Sequence, residues 1–293
     1  MNKFFRFMLI IFIVFNMTAC GSDSEENSES KNEVTAETNS EQNQSKPASI
    51  VETVLLDESS IKITAKEIVY DGIFGTDLKL LIENNSDKSL VVQTRNSSVN
   101  GYMLDSIMSV DVAAGKKAND SITFMSSDLE LNGIEVIADM EFSFHIFNSA
   151  DWETYLDTPQ IKHQTSIAED FKYSYDDSGT EVFDEKDIKI VVKGISENDS
   201  IVGPAIILYI HNYCNKAVTI QARDVSINGF MLDPIFSEDV MPGKRAISAV
   251  TFMSSDLEEN GITEITEVEL YFHIFDQNNW DTIIDSNLVN LKF

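Results

Sequence analysis

The chain has 293 residues and carries 49 acidic against 21 basic side chains, a formal net charge of −28 at pH 7. A surface of this sign repels phosphate backbones, which excludes nucleic acid as a partner. It also repels anionic lipid head groups, so any attachment to a membrane cannot depend on a basic patch.

The first 19 residues have the pattern of an export signal. Lys3 and Arg6 precede an apolar run from Phe7 to Met17, which is shorter than the roughly 20 residues that span a bilayer. Cys20 follows Met-Thr-Ala, an arrangement that resembles the lipobox of bacterial lipoproteins. The resemblance implies cleavage before Cys20 and lipid on that cysteine. We therefore expect a lipid-anchored protein on the extracytoplasmic face of the cell membrane.

Residues 20–54 are predicted to form a lipidated, acidic and disordered tether. The segment up to about Ala48 consists mainly of Ser, Glu, Asn, Thr and Gln, and the first aromatic residue after Cys20 is Tyr70. Such a composition buries too little apolar surface to offset the entropy of ordering the chain. Cys214 is the remaining cysteine, so no disulfide within the mature chain is expected, and we interpret it as a small buried apolar residue.

The remainder of the chain is one sequence written twice. Residues 96–158 align with 224–286 without a gap, and 33 of these 63 positions are identical. Each copy is a little over 100 residues long, which is the size of a single domain. We therefore predict two tandem repeats, residues 55–165 and 166–293.

Each repeat has the pattern of an antiparallel β-sandwich. Residues alternate between apolar and polar at Ile61–Lys66, while Leu78–Ile82 is continuously apolar and favours a central strand. Asn100-Gly101 and its copy Asn228-Gly229 predict type I′ hairpin turns. About seven or eight short strands per repeat, with regular turn signals, predict an all-β fold of two tandem immunoglobulin-like sandwiches.

One short helix is expected in each repeat. Ser127–Glu130 and Ser255–Glu258 fit the capping box, in which Ser binds the N3 amide and Glu returns to the cap amide. Asn132-Gly133 and Asn260-Gly261 then predict a left-handed stop. A single helical turn that crosses between the two sheets fits this spacing.

These features together resemble a known family. The Asn-Gly hairpin, the Pro-Gly-Lys-Arg-Ala turn at 242–246, the Thr-Phe-Met-Ser-Ser strands and the Phe-His-Ile-Phe strands are similar to uncharacterised immunoglobulin-like domains of surface lipoproteins from low-GC Gram-positive bacteria. The resemblance covers roughly residues 55–293. It implies fold and location and transfers no catalytic residue.

The sequence offers weak candidates for metal binding and catalysis. His145 and His273 occur once per repeat without a second ligand at zinc spacing, which favours a packing role. Aspartates that recur in both copies leave calcium open as a minor alternative, although no D-x-D-x-D-G loop is present; they are Asp105, Asp111, Asp128 and Asp157 with Asp233, Asp239, Asp256 and Asp285. No nucleophile elbow or phosphate-binding glycine loop occurs. We expect no enzyme activity, metal or cofactor.

Two pairs of equivalent positions are candidate contact sites. Lys116-Lys117 and Lys244-Arg245 place cations at one loop of each repeat of an acidic chain, where they could touch an anionic envelope polymer or partner. Trp152 and Trp280 follow polar loops and could be exposed platforms for sugar stacking. We favour the alternative that they close the ends of the sandwiches, because large aromatic side chains usually bury most of their area.

Two classes of function remain. The first is a lipid-anchored extracytoplasmic binding module without catalysis, which presents the sandwiches to an envelope polymer or a surface protein. The alternative is a ligand- or ion-sensing or accessory solute-binding lipoprotein with its site between the domains, which requires a large interdomain pocket.

Overall fold

The computed structural model describes residues 47–196 and 202–293. The predicted signal segment 1–19, Cys20 and the predicted tether up to residue 46 lie outside the described residues. Among the described residues, none belongs to a helix that is long and apolar enough to cross a membrane.

The described part of the first repeat consists of eleven strands and one helix. The strands are β1 (Thr53–Glu58), β2 (Ile61–Val69), β3 (Gly75–Asn84), β4 (Leu90–Val99), β5 (Tyr102–Met103), β6 (Ser106–Ile107), β7 (Ser109–Val112), β8 (Lys117–Met125), β9 (Asp139–Asn148), β10 (Thr154–Asp157) and β11 (Ile161–Gln164), with helix α1 (Ser126–Leu131) between β8 and β9. One sheet has the order β1-β2-β3-β8-β6. The facing sheet is built on the β4–β9 pair, with β5 and β7 on β4 and with β10 and β11 on β9.

The second repeat follows the same plan. Its elements are β12 (Thr180–Glu185), β13 (Ile188–Ser196), β14 (Ala205–Asn212), β15 (Val218–Ile227), β16 (Phe230–Met231), β17 (Ser237–Val240), β18 (Arg245–Thr251), α2 (Ser254–Glu259), β19 (Glu267–Asp276), β20 (Thr282–Asp285) and β21 (Val289–Lys292). One sheet has the order β12-β13-β14-β18, and the other is built on β15 and β19. The prediction of two all-β immunoglobulin-like sandwiches is confirmed.

Each sandwich encloses its own hydrophobic core, because alternate residues of its strands point inward. In the first repeat, Phe124 of β8 belongs to the same core as Phe142 and Phe144 of β9, and all three side chains are almost fully buried. Phe252 and Phe272 hold the equivalent places in the second repeat. These are the aromatic strand positions that the sequence marks in both copies.

The predicted turns are present. Asn100 and Gly101 have φ of 50° and 84°, and Asn228 and Gly229 repeat these values within 2°, as a type I′ hairpin requires. Gly133 ends helix α1 in the left-handed region at φ 62°. Its amide bonds to the Glu130 carbonyl and the Ile134 amide bonds to the Leu129 carbonyl, which is the Schellman pattern.

The predicted capping box is wrong. The N-cap residues are Met125 and Met253, and neither makes a side-chain capping hydrogen bond. Each helix begins one residue before the predicted cap, at Ser126 and at Ser254. The Ser127 hydroxyl therefore lies within the first turn and donates to the Asp128 carboxylate at 3.2 Å.

The ordered structure also begins earlier than residue 55. Ala48 is buried, Ile50 packs on the first core, and β1 starts at Thr53. The Ser166 amide donates to the Ser49 carbonyl at 2.7 Å, which ties this segment to the end of the first repeat. The tether prediction failed here because two apolar side chains are enough to extend the fold when a neighbouring backbone offers hydrogen bonds.

The two sandwiches are joined through one hairpin. β5 of the first repeat makes a parallel bridge to β18 of the second, with Tyr102 opposite Arg245, so a ten-stranded sheet includes strands of both repeats. Tyr102 packs against Val191 and Tyr209, and Met103 belongs to the core of the second repeat. The equivalent hairpin of the second repeat is exposed, with Phe230 and Met231 at 47% and 65% accessibility.

The two hairpins supply a matched stability test. Met103 is 9% exposed, whereas its copy Met231 is 65% exposed. We expect Met103→Ala to lower the free energy of unfolding by about 2–4 kcal/mol, since it removes buried thioether packing. Met231→Ala should change it by no more than about 0.5 kcal/mol. Urea denaturation measures the change in the free energy of unfolding for each variant. Equal losses for the two variants would contradict the packing of Met103 in the core of the second repeat.

Candidate functional site

Trp152 and Trp280 form the most conspicuous surface feature of both repeats. Each tryptophan residue is 74% exposed. One face of the Trp152 ring stacks on Phe147, with ring centroids 5.4 Å apart and planes 20° from parallel, and Trp280 stacks on Phe275 at 5.4 Å and 18°. The interpretation that these tryptophans are buried closures of the sandwich ends is therefore wrong. The phenylalanine covers one face of the indole, and the other face of the indole is exposed to solvent.

The row of rings continues inward to a histidine. His145 lies 5.3 Å from Phe147, and its Nδ1 is 2.5 Å from the Asp157 carboxylate on the neighbouring strand β10. The second repeat has the same spacing for His273, Phe275 and Asp285. The histidines thus have a packing role, which agrees with their interpretation from sequence. We call each set of histidine, phenylalanine and tryptophan an aromatic platform.

A tight turn holds each tryptophan in place. The Trp152 amide bonds to the Asn148 carbonyl at 2.9 Å, and the Asn148 side chain bonds to the Asp151 carboxylate at 2.8 Å. This turn places Trp152 at φ 64° and Trp280 at φ 66°. The left-handed region normally takes Gly or Asn and is costly for a bulky side chain. The fold thus keeps a tryptophan, in both copies, where the backbone favours a smaller residue.

The cationic loops of the two repeats are not equivalent in the fold. Lys116 is exposed, and Lys117 forms an ion pair with Glu83 of the same repeat. Lys244, in contrast, reaches Glu141 of the first repeat at 2.7 Å, with both side chains largely buried. The Arg245 guanidinium lies 3.6 Å from the centre of the Tyr175 ring, a close cation–π contact. The second loop thus contacts the first repeat and is not free to act with Lys116 and Lys117.

Tyrosines complete the junction between the repeats. The Tyr175 hydroxyl donates to the Asn100 carbonyl at 3.2 Å, and the Tyr173 hydroxyl donates to the Asp139 carboxylate. Burial, together with Asp139, raises the pKa of Tyr173 above its usual range. Sequence reasoning missed these two tyrosines, because the segment 166–179 has no counterpart in the aligned region of the first repeat. The junction is packed with side chains where the alternative function requires a large pocket.

A groove lies elsewhere, at the edge of the second sandwich. It has a volume of about 480 Å³ and is lined by β12 and by residues 286–291. Both walls belong to the second repeat, so the groove is not a site between domains.

The other candidates are dispersed. Within 47–196 and 202–293, no three His, Cys, Asp or Glu side chains are grouped so that they could hold a metal ion. Asp157 and Asp285 bind the histidines, and Asp128 is next to Ser127 in helix α1. Cys214 is only partly buried, and its thiol lies 2.7 Å from the Asn212 side-chain oxygen, so it is not the purely apolar residue that we expected.

Comparisons with known proteins add little to this description. No family model matches the chain, and no curated protein matches it. Among solved structures, the YadV chaperone is 12% identical over 80% of this chain and all of its own, with a TM-score of 0.25. The Salmonella enterica SafA pilin in complex with the SafB chaperone is 9% identical over 81% of this chain and 98% of that chain, also with a TM-score of 0.25. At these values the likeness carries no functional argument.

Glu238 offers a test of electrostatics at the junction. Its carboxylate accepts a hydrogen bond from Ser248 at 2.7 Å. Burial raises its pKa from 4.5 to about 7, and the charges of Asp105, from the first repeat, and Asp239 add to the rise. The equivalent residue of the first repeat is Val110.

We expect Glu238 to make the protein less stable as pH rises from about 4.5 to about 7. In this window the unfolded chain has lost the proton that the folded protein still holds, so folding binds a proton and weakens with rising pH. Glu238→Gln should remove this slope and raise the stability by about 1 kcal/mol above pH 7, a discounted value because the residue is partly exposed. Melting curves at pH 4 and pH 8 measure the effect, with the exposed Glu264→Gln as control. If the stability of the wild type and of Glu238→Gln changes equally between pH 4 and pH 8, Glu238 does not contribute to the pH dependence.

Proposed function

We propose that this chain is a lipid-anchored extracytoplasmic binding module without catalytic activity. The observation that supports binding is the duplicated aromatic platform: both repeats expose a tryptophan, 74% accessible, that stacks on a phenylalanine with closely matching geometry. When a partner covers a large exposed aromatic ring, a large apolar area is removed from water, and this burial favours binding.

The packing of each platform favours binding over chemistry. The His145 ring is held between Asp157 and Phe147, and only 12% of its side chain is exposed. It therefore supports the stack and presents little surface to a reactant. Preorganised rings lose little conformational entropy on binding, which suits a recognition surface.

The anchoring part of the proposal rests on the sequence around Cys20. The lipobox-like Met-Thr-Ala-Cys, the short apolar run and the polar segment that follows fit a lipid anchor with a spacer that holds the sandwiches away from the head groups. The folded part contributes acidic charge, and the lipid would provide the membrane affinity. An envelope polymer or surface protein would then meet the platforms outside the cell.

We expect Cys20→Ala to release the protein from the membrane, since it removes the lipid. Fractionation of cells expressing the wild type and the variant measures this, and metabolic labelling with a fatty acid reports the lipid itself. The Cys214→Ala variant is the matched control and should be labelled like the wild type. Equal labelling of Cys20→Ala would contradict the anchor.

We expect the platforms to carry attachment to the envelope. The test uses Cys20→Ala chains, so that lipid plays no part, mixed with membrane-free envelope polymer of the native host and sedimented. The chain with both tryptophans should sediment with the polymer, whereas Trp152→Gly/Trp280→Gly should stay in the supernatant. Glycine suits the left-handed backbone at both positions, so the double variant should melt close to its parent.

The control for general stickiness is Phe74→Ala. Phe74 is an exposed aromatic residue, 64% accessible, in the loop before β3. The Phe74→Ala substitution should leave sedimentation with the polymer unchanged. If the double tryptophan variant sediments as well as its parent, the platforms are not the contact surface and the proposed function loses its support.

A further inference from the structure

We infer that the ligand of the two platforms is a neutral glycan, whose pyranose rings stack on Trp152 and Trp280. This inference rests on the proposed binding function and adds the chemical class of the ligand. It follows from the shape of the platform, from the charges of the turn beneath it and from the backbone that carries the indole.

The shape favours a flat ligand. Each indole is covered on one side by Phe147 or Phe275, at 5.4 Å, and is open on the other. One open ring face, rather than a cage of several rings, matches the apolar C–H face of a pyranose. Quaternary ammonium ligands are instead recognised by cages of several aromatic rings.

The charge at the base of the turn favours a neutral ligand. In the first repeat this position is Asn148, which is uncharged. In the second repeat it is Asp276, and its carboxylate is paired with Lys216 at 2.9 Å. The base of the turn thus carries no unpaired charge in either copy, although the residues differ.

The rim of the turns offers hydrogen-bond acceptors to hydroxyl groups. Asp151 and Glu153 are exposed beside Trp152, and Asp281 is exposed beside Trp280. Carboxylate oxygens have several lone pairs, so those engaged within the turn, as in the 2.8 Å bond from Asn148 to Asp151, can still accept from a ligand. Such a rim repels phosphate, sulfate and uronate groups, which favours a neutral glycan over an anionic polymer.

The backbone indicates that the indole is kept for its surface. Both tryptophans lie at positive φ, 64° and 66°, where a bulky side chain is strained. Because each residue is 74% exposed, the side chain recovers only part of this cost by packing on phenylalanine. A strained, exposed residue that recurs in both copies is explained by contact with a ligand.

Tryptophan fluorescence tests the inference directly, because the chain has two tryptophans and both are platform residues. The full chain carrying Cys20→Ala is titrated with neutral hexasaccharides: cellohexaose, chitohexaose, maltohexaose and laminarihexaose. Trp152→Phe and Trp280→Phe each leave one reporter. We expect at least one sugar to give a saturable blue shift from each reporter, with a Kd on the order of 0.1–1 mM, as expected for a small contact.

Native gels that contain the matching neutral polysaccharide give a second measurement. The chain migrates strongly because of its charge of −28, and the polysaccharide does not move. We expect retardation of the wild-type platforms and at least a tenfold weaker apparent affinity for Trp152→Gly/Trp280→Gly. Phe74→Ala should be retarded like its parent.

The probes of other classes decide the alternatives. A blue shift with hexalysine or with phosphatidylcholine vesicles, and none with any hexasaccharide, would overturn the inference in favour of a cationic or lipid ligand. Envelope binding that depends on the tryptophans, together with no response to any hexasaccharide, would overturn the glycan and leave the binding function standing. If no hexasaccharide gives a response and envelope binding does not depend on the tryptophans, both the glycan inference and the proposed binding function are overturned.

Discussion

The contact on which the arrangement of the described chain depends is the docking of the Asn100-Gly101 hairpin on the second repeat. The Arg245 amide donates to the Gly101 carbonyl at 3.0 Å, and this bond brings β5 beside β18. Tyr102 then closes over Val191 and Tyr209, and Met103 enters the second core. The two sandwiches are therefore not independent domains joined by a linker, because strands of both belong to one sheet.

This docking also explains why near-identical sequences have different surfaces. The second hairpin has almost the same residues, yet Phe230 and Met231 are exposed, whereas Tyr102 and Met103 are buried against the second repeat. In the same way Lys244 and Arg245 are engaged at the junction, while Lys116 at the equivalent loop is exposed. Position within the tandem array, and not residue type, decides what each copy presents to solvent.

The aromatic platforms are the exception to this asymmetry. Trp152 and Trp280 have the same exposure, the same positive φ and the same stacking distance. Each platform is built from its own β9 or β19 strand and the turn that follows, so it depends on contacts within one repeat. A surface that stays the same in both copies, while the junction makes their surroundings different, is suited to binding repeating units of one polymer.

The alternation of Ile61–Lys66, the Asn-Gly turns and the 33 identities were sufficient to predict two β-sandwiches and their hairpins, because these signals act between neighbours in the chain. The sequence likewise marked Trp152 and Trp280 as candidates. Their exposure could not be predicted, since it depends on the turn that lifts each indole onto the outer face of a phenylalanine. The roles of Lys244, Arg245, Tyr173 and Tyr175 also needed the tertiary structure. Their partners, such as Glu141 and Asp139, lie more than 30 residues away along the chain, and only the docking of one repeat on the other brings them together.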